Sequence, residues 1–94
     1  MTQKTFKVKI SQDVLEKDFP ALNPGFKEAL INFIKEKLAV RPHLYAKPVR
    51  GPGSKYWKVR FGEYLLGFKI ELDCLIVLAV IPYYRLYNKN FVGV

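Results

Sequence analysis

The chain has 94 residues, half of them hydrophobic, and its 16 Lys and Arg against 8 Asp and Glu give a net charge of +8. A chain of this length forms one modest hydrophobic core, so we expect residues 1–94 to be a single domain. The hydrophobic fraction excludes intrinsic disorder, and the single cysteine, Cys74, excludes a scaffold held by disulfides.

The apolar segments are too short for a membrane-spanning helix. The longest, Cys74–Pro82, has nine residues, whereas a spanning helix needs about 20. The first ten residues alternate lysine with apolar side chains and lack the continuous apolar stretch of a signal peptide. We therefore expect a soluble, cytoplasmic protein in which this stretch is a buried strand.

The positive charge is concentrated in one segment, because residues 38–61 contain no Asp or Glu. The cations within and next to it are Lys37, Arg41, Lys47, Arg50, Lys55, Lys58 and Arg60. Like charges so close in sequence repel one another, which favours a polyanionic partner, either nucleic acid or an acidic protein. The alternative is a solvated surface whose lysines only keep the protein soluble.

The first half of the chain predicts a strand and two helices. Residues 6–10 alternate apolar side chains with lysine, the pattern of a half-buried strand. Ser11 or Asp13 can cap a short helix that Pro20 closes. Asn23-Pro24 then combines a capping residue with proline at the first helical position, and the apolar spacing continues to about Val40.

The second half predicts a loop and then three strands. Residues 41–54 contain three prolines and two glycines, so we expect a long loop, and loops of this length often carry function. Strands are expected at residues 56–61, 64–71 and 74–81, followed after Pro82 by an irregular tail. Glycine first in Gly62-Glu63 indicates a tight type II′ hairpin turn, and Leu72-Asp73 is expected to form the second turn.

This order of elements predicts an α+β domain: an N-terminal strand, two helices, then a three-strand antiparallel meander with the helices packed on one sheet face. The two-residue turn fixes which residues of its flanking strands are opposite each other. The pairs facing the helices are expected to be Phe61 with Tyr64, Val59 with Leu66, and Trp57 with Phe68. The pairs on the outer face are expected to be Arg60 with Leu65, Lys58 with Gly67, and Tyr56 with Lys69.

The last strand is apolar on both faces, which means that its outer side needs a cover. With a two-residue turn at Leu72-Asp73, we expect Ile76, Leu78 and Val80 on the same side as the basic residues of the first meander strand. The C-terminal tail or a partner protein could cover this side. An exposed apolar patch beside a basic stripe suits an amphipathic, acidic peptide.

Four short segments occur in an order that is typical of one protein family. They are the helical hairpin, the loop 47–51, the strand 56–60 with its continuation 62–66, and the apolar strand followed by the basic, tyrosine-bearing residues 83–88. Their order and spacing, from residue 6 to about residue 88, resemble the RelE/ParE toxin superfamily.

The resemblance implies a toxin of a type II toxin–antitoxin module. RelE-like members cleave messenger RNA in the ribosomal A site without a metal or other cofactor, whereas ParE-like members inhibit DNA gyrase and are not enzymes. Both are held inactive by an antitoxin, often an acidic protein. The expected partners are therefore an acidic antitoxin and messenger RNA on the ribosome, with DNA gyrase as the alternative, and no membrane.

Metal-free RNA cleavage needs a base for the attacking 2′-hydroxyl, an acid for the leaving 5′-oxygen, and cations for the charged transition state. Matched by position to RelE-like ribonucleases, Lys58 and Arg60 correspond to the basic strand pair, Arg85 to a late arginine, and Tyr87 to a late tyrosine. These four are the expected catalytic residues. The residues expected to bind RNA around them are Lys47, Arg50, Lys55, Tyr56 and Tyr84.

One position departs from the family pattern. RelE-like ribonucleases commonly have arginine directly after the tyrosine that opens the second meander strand, but here Tyr64 is followed by Leu65. The change removes a phosphate-binding cation. It favours two alternatives, a ParE-like inhibitor of gyrase and a basic RNA- or protein-binding domain of the same fold without activity.

Other chemically capable residues have simpler structural interpretations. His43 follows Pro42 in the loop, with no carboxylate nearby to orient it. Trp57 is expected to face the helices, and Cys74 to begin a buried strand without a histidine partner. The sequence contains neither a glycine-rich phosphate loop between a strand and a helix nor a set of zinc ligands.

Overall fold

A five-stranded mixed sheet forms the centre of the protein. The computed structural model describes residues 5–50 and 54–86. The strands are β1 (Lys7–Ile10), β2 (Lys47–Pro48), β3 (Tyr56–Phe61), β4 (Tyr64–Glu71) and β5 (Cys74–Pro82). They are arranged in the order β1-β5-β4-β3-β2, with β1 parallel to β5 and every other pair antiparallel. The predicted α+β class is confirmed, and the sheet contains one strand, β2, that was not expected.

The first helical segment continues further than the sequence predicts. The side-chain oxygen of Ser11 accepts a hydrogen bond from the Val14 backbone N–H at 3.4 Å, in agreement with the expected cap. A π-helical segment, Val14–Asp18, is followed directly by a 3₁₀ turn, Phe19–Ala21. The prediction that Pro20 closes the helix is wrong. A proline in the first turn of a helix is tolerated because it needs no amide hydrogen there.

The second helix begins where the sequence predicts. Helix α1 is Pro24–Phe33, and the Asn23 side-chain oxygen accepts hydrogen bonds from the backbone N–H groups of Gly25 at 2.8 Å and Phe26 at 3.4 Å. The helix continues as a π-helical segment, Ile34–Leu38. Such a side-chain cap satisfies backbone donors that have no partner within the helix.

Two expectations of irregular structure are wrong. Within the predicted loop 41–54, Pro42–Tyr45 forms helix α2, and β2 pairs with β3 through Lys47 opposite Lys58. After β5, Tyr83–Leu86 forms helix α3 where an irregular tail was expected. Helices of four residues and strands of two are too short to produce a hydrophobic period, so these elements depend on contacts made by the folded chain.

The β3–β4 hairpin has the predicted register at all six pairs, from Tyr56 opposite Lys69 to Phe61 opposite Tyr64. Gly62 has a φ of +61°, the positive value that the first central residue of a type II′ turn requires. Its position is also close-packed, because a Cβ atom there would lie 3.1 Å from the Phe26 ring. The turn therefore requires glycine for both reasons.

The β4–β5 hairpin also turns where predicted, but one residue lies on the opposite face from that expected. Glu71 pairs with Cys74 across the turn, and the register then shifts at a bulge, after which Gly67 pairs with Ala79 and Leu66 with Val80. Val80 is therefore buried among the core residues and does not lie on the outer face. An extra residue in one strand reverses the faces of all residues beyond it.

The core lies between the helices and one face of the sheet. Its fully buried side chains come from both layers: Val14, Leu30, Ile34, Leu38, Leu66, Phe68, Leu75 and Val77. Trp57 packs against this cluster with its ring centroid 6.5 Å from that of Phe68, in agreement with its predicted inward orientation. In residues 5–50 and 54–86, no helix has the length and apolar character needed to cross a bilayer.

Candidate functional site

A cleft of about 350 Å³ lies on the outer face of the sheet, opposite the helices. It is lined by Tyr45, Lys47, Lys58, Val59, Arg60, Leu65 and Tyr83. We call it the basic cleft, since three of its seven lining residues are cations and none is acidic. Two of the predicted catalytic residues, Lys58 and Arg60, and one predicted RNA-binding residue, Lys47, meet here.

The strand pattern places these cations together. Lys58 and Arg60 are two residues apart on β3, so they point to the same face with a separation of about 6.6 Å along the strand. Lys47 pairs directly with Lys58 from the neighbouring strand β2. Residues separated in sequence by more than ten positions therefore form one compact cationic group.

The cations of the basic cleft have no carboxylate partner among residues 5–50 and 54–86. The ion pairs in this part of the chain join Lys7 to Asp73, and Lys55 and Lys69 to Glu71, away from the cleft. Unneutralised cations in a cleft produce a positive potential that attracts an anionic ligand. Charge and shape together make the cleft suited to a phosphate-bearing molecule.

Arg60 is the best-anchored cation of the cleft. Its Nε donates a hydrogen bond to the Gly62 carbonyl oxygen at 3.0 Å, and its guanidinium carbon lies 4.4 Å from the centroid of the Tyr83 ring. Leu65, the residue that replaces the expected arginine, pairs with Arg60 across the hairpin and forms an apolar part of the cleft wall.

Lys55 and Arg50, both predicted to bind RNA, lie outside the basic cleft. Lys55 precedes β3 and forms an ion pair with Glu71 at 3.4 Å. Five residues of extended strand separate it from Arg60, about 16 Å. Arg50 is exposed in the turn after β2, with a φ of +67°. The structure thus separates these two cations from the group that lines the cleft.

The two tyrosines predicted to bind RNA, Tyr56 and Tyr84, do not line the cleft. Tyr56 lies on the same face of β3 as Lys58 and is exposed, and Tyr84 in α3 is 75% exposed. Of the two late residues, Arg85 lies in α3, whereas Tyr87 is outside the residues that the structure describes. Their assignment to catalysis stays a prediction.

Two residues of the cleft, Tyr45 and Tyr83, were not among the predicted site residues. Tyr45 ends α2, the helix hidden in the predicted loop, and its ring meets that of Phe33 edge-on at 5.7 Å. Tyr83 begins α3, and its backbone N–H donates to the Glu63 carbonyl oxygen at 2.7 Å. The only sequence signal for Tyr83 was its position in the tyrosine-rich, basic end of the chain.

Two acidic side chains outside the cleft, Glu71 and Asp73, have lowered pKa values. The charge of Lys69, followed by the hydrogen bond from Lys55, lowers the pKa of Glu71. The hydrogen bond from the Cys74 thiol, followed by the charge of Lys7, lowers the pKa of Asp73. Both carboxylates are therefore ionised at neutral pH. They form ion pairs with Lys7, Lys55 and Lys69, away from the cleft.

The remaining candidates do not join the cleft. The His43 ring contacts Trp57 edge-on at 5.3 Å, on the helix side of the sheet. The Cys74 thiol contacts Asp73 at 3.5 Å, in the second hairpin. Within residues 5–50 and 54–86, no three His, Cys, Asp or Glu side chains lie close enough together to hold a metal ion.

Comparison with solved structures shows the same fold in toxin–antitoxin complexes. A chain of the RelBE2 complex from Mycobacterium tuberculosis aligns with a TM-score of 0.73 and 22% identity, over 83% of this chain and 98% of its own. A chain of the RelE–RelB complex from Pyrococcus horikoshii aligns with a TM-score of 0.68 and 18% identity, over 86% of this chain and 98% of its own. A chain of the DinJ–YafQ complex from Escherichia coli aligns with a TM-score of 0.55 and 14% identity, over 89% of this chain and 99% of its own.

Sequence comparison detects none of this similarity. No protein-family model matches the chain, and no curated protein matches it. The structural neighbours nevertheless confirm the RelE-like fold that the resemblance predicted.

Proposed function

We propose that the protein is the toxin of a type II toxin–antitoxin module and that it cleaves messenger RNA on the ribosome without a metal ion. The observation that supports RNA as the ligand is the group formed by Lys47, Lys58 and Arg60. These three cations come from two strands, line one cleft and have no carboxylate partner in the described part of the chain. Phosphate groups supply most of the binding energy of nucleic acids to basic proteins.

Each residue has a defined role in this proposal. Lys58 is the proposed base for the proton of the attacking 2′-hydroxyl, and Arg60 stabilises the negative charge on the phosphate oxygens in the transition state. Arg85 contributes a second guanidinium to that phosphate. Tyr87 donates a proton to the 5′-oxygen as it leaves.

An acidic antitoxin is the proposed protein partner. Several of the solved structures with this fold are complexes of a toxin with an antitoxin. With a net charge of +8, the chain is complementary to an acidic protein. We expect a short acidic reading frame beside the gene, whose co-expression prevents growth arrest.

Expression in bacteria, with transcript ends mapped by primer extension, tests the ribonuclease. We expect growth arrest and cuts in phase with codons, both abolished by combining Lys58→Ala with Arg60→Ala. Lys35→Ala is the matched control. Lys35 is an exposed lysine of the segment Ile34–Leu38, which packs on the opposite sheet face, so its replacement should leave the cuts unchanged.

Leu65 favours a second candidate function, inhibition of DNA gyrase by binding alone. It places an apolar side chain beside Arg60, where RelE-like ribonucleases have a cation. Growth arrest with intact transcripts and induced DNA damage would contradict the ribonuclease and support the gyrase inhibitor. A chain that causes no arrest would instead be a binding domain without toxicity.

A further inference from the structure

Arg60 is held by two different contacts, a hydrogen bond from its Nε and an aromatic ring next to its guanidinium carbon. The Nε–H donates to the Gly62 carbonyl oxygen at 3.0 Å, and the guanidinium carbon lies 4.4 Å from the Tyr83 ring centroid. A hydrogen bond from Nε and an aromatic ring next to the guanidinium carbon together restrict the orientation of the group. Its two terminal nitrogens have no hydrogen-bond acceptor among residues 5–50 and 54–86.

The same tight turn positions both the arginine and the tyrosine. The Gly62 carbonyl accepts from the Arg60 side chain, and the carbonyl of the next residue, Glu63, accepts from the Tyr83 backbone N–H at 2.7 Å. The ring of Phe26, on α1, packs against Gly62 and restrains the turn. The start of α3 is therefore fixed relative to the end of β3.

No comparable contact restrains the other two cations of the basic cleft. Lys47 and Lys58 have neither an ion pair nor an aromatic partner in the described part of the chain. A lysine ammonium on a flexible stem acts as a mobile point charge, whereas an immobilised guanidinium can donate two parallel hydrogen bonds to one phosphate. The cleft thus combines one oriented donor with two mobile charges.

We propose that Tyr83 is a positioning residue that holds the Arg60 guanidinium with its two terminal nitrogens directed at a phosphate of single-stranded RNA in the basic cleft. This inference rests on the proposed function, since it takes a phosphodiester as the ligand. Its physical basis is pre-organisation: a side chain that is already ordered loses less conformational entropy when it binds. An aromatic ring over an exposed cation is expected to contribute about a two- to fivefold gain in affinity.

The test measures binding of a short fluorescein-labelled single-stranded RNA by fluorescence anisotropy, using the full chain. We expect Tyr83→Leu to weaken binding about two- to fivefold, while Tyr83→Phe, which keeps the ring, binds as the native chain does. A double-mutant cycle with Arg60→Gln separates positioning from a general loss of structure. In the Arg60→Gln background, Tyr83→Leu should cause no further loss, because the group that it positions is gone.

The NMR signal of the Arg60 Nε–H gives a measurement that does not depend on RNA. We expect a distinct, slowly exchanging signal in the native chain and in Tyr83→Phe, and a signal averaged with those of other exposed arginines in Tyr83→Leu.

The outcomes distinguish this inference from the proposed function. Equal RNA affinity of Tyr83→Leu and the native chain, or losses that simply add in the double variant, would overturn the positioning role and leave RNA binding intact. A native chain that shows the protected Nε–H but binds no free RNA would overturn the phosphate as the ligand of Arg60, whereas the proposed cleavage on the ribosome is tested separately by the mapped transcript ends.

Discussion

The salt dependence of RNA binding tests whether the three cations of the basic cleft contact phosphates. For single strands, the logarithm of the binding constant falls against the logarithm of salt concentration with a slope of about −0.7 for each phosphate neutralised. Lys47, Lys58 and Arg60 all line the cleft without carboxylate partners in the described residues. One phosphate for each cation gives a slope of about −2.1.

The perturbation is Lys58→Ala, assayed by fluorescence anisotropy with a short single-stranded RNA at several salt concentrations. Removing one of the three contacts should reduce the slope by about 0.7, to about −1.4, and weaken binding most at low salt. Lys35→Ala is the matched control, since it removes the same charge from the helix side of the molecule.

Two results would refute this reasoning. Equal reductions in slope for the two variants would mean that RNA responds to the net charge of the chain and not to the cleft. An unchanged slope for Lys58→Ala would mean that this lysine contacts no phosphate.

Three further predictions concern stability and protonation. Leu72→Gly should stabilise the chain by about 0.5 kcal/mol in urea unfolding, because Leu72 has a φ of +56° and is 96% exposed, so glycine relieves strain and loses no packing. Asp18→Ala should cost about 1–3 kcal/mol, because the Asp18 side chain accepts a hydrogen bond from the buried Val80 N–H at 2.9 Å. Lys69→Gln should raise the pKa of Glu71 in an NMR titration, because the charge of Lys69 is the largest cause of its lowering.

Each of these has an internal control. Leu72→Ala keeps the left-handed backbone strained and should leave the urea midpoint nearly unchanged, so an equal gain from alanine would contradict the strain argument. Asp18→Asn retains a side-chain oxygen and should lose much less stability than Asp18→Ala. Lys55→Gln should raise the pKa of Glu71 less than Lys69→Gln does.

The sign of the Glu71 effect on stability follows from linkage. Its pKa in the folded chain is lowered from its ordinary value, so the unfolded chain binds protons more readily than the folded one at acidic pH. The stability that the lysines contribute through this carboxylate is therefore complete at neutral pH. It is lost as the pH falls through the lowered pKa, and a stability that increased on acidification through this range would contradict the ion pairs.

The β3–β4 hairpin and the position of its cations were predictable because local chemistry determines them. Glycine at the first position of Gly62-Glu63 selects a two-residue turn, and a two-residue turn leaves one possible register. Once the register is known, strand alternation places Lys58 and Arg60 on the outer face. The register of this hairpin therefore depends on no long-range contact.

The bulge between β4 and β5 was not predictable in the same way. Bulges are often marked by glycine within a strand, but the apolar run of β5 contains none, and the glycine at the bulge, Gly67, lies on the partner strand. Leu78 and Val80 have similar hydrophobicity, so the sequence offers no reason to bury one and expose the other. Packing against the helices decides that Val80 is buried, while Leu78 lies at the surface.

The two tyrosines of the cleft, Tyr45 and Tyr83, were not predicted because their positions depend on where the short helices α2 and α3 pack. Tyr45 reaches the cleft only because α2 turns the chain beside β3, and Tyr83 only because its backbone bonds to Glu63. Such four-residue helices carry no periodic signal, and each is held by contacts with distant residues.

The composition of the cleft bears on the choice between RNA and an acidic protein as its ligand. Cations attract either ligand, but single-stranded nucleic acid also uses aromatic faces on which bases stack. The basic cleft provides both, since Tyr45 and Tyr83 line it beside three cations, and Leu65 adds an apolar surface against which a sugar or base can pack. Leu65 therefore gives the cleft wall beside Arg60 an apolar side chain in place of a cation. The cations, the aromatic rings and the apolar wall together favour single-stranded RNA as the proposed ligand of the cleft.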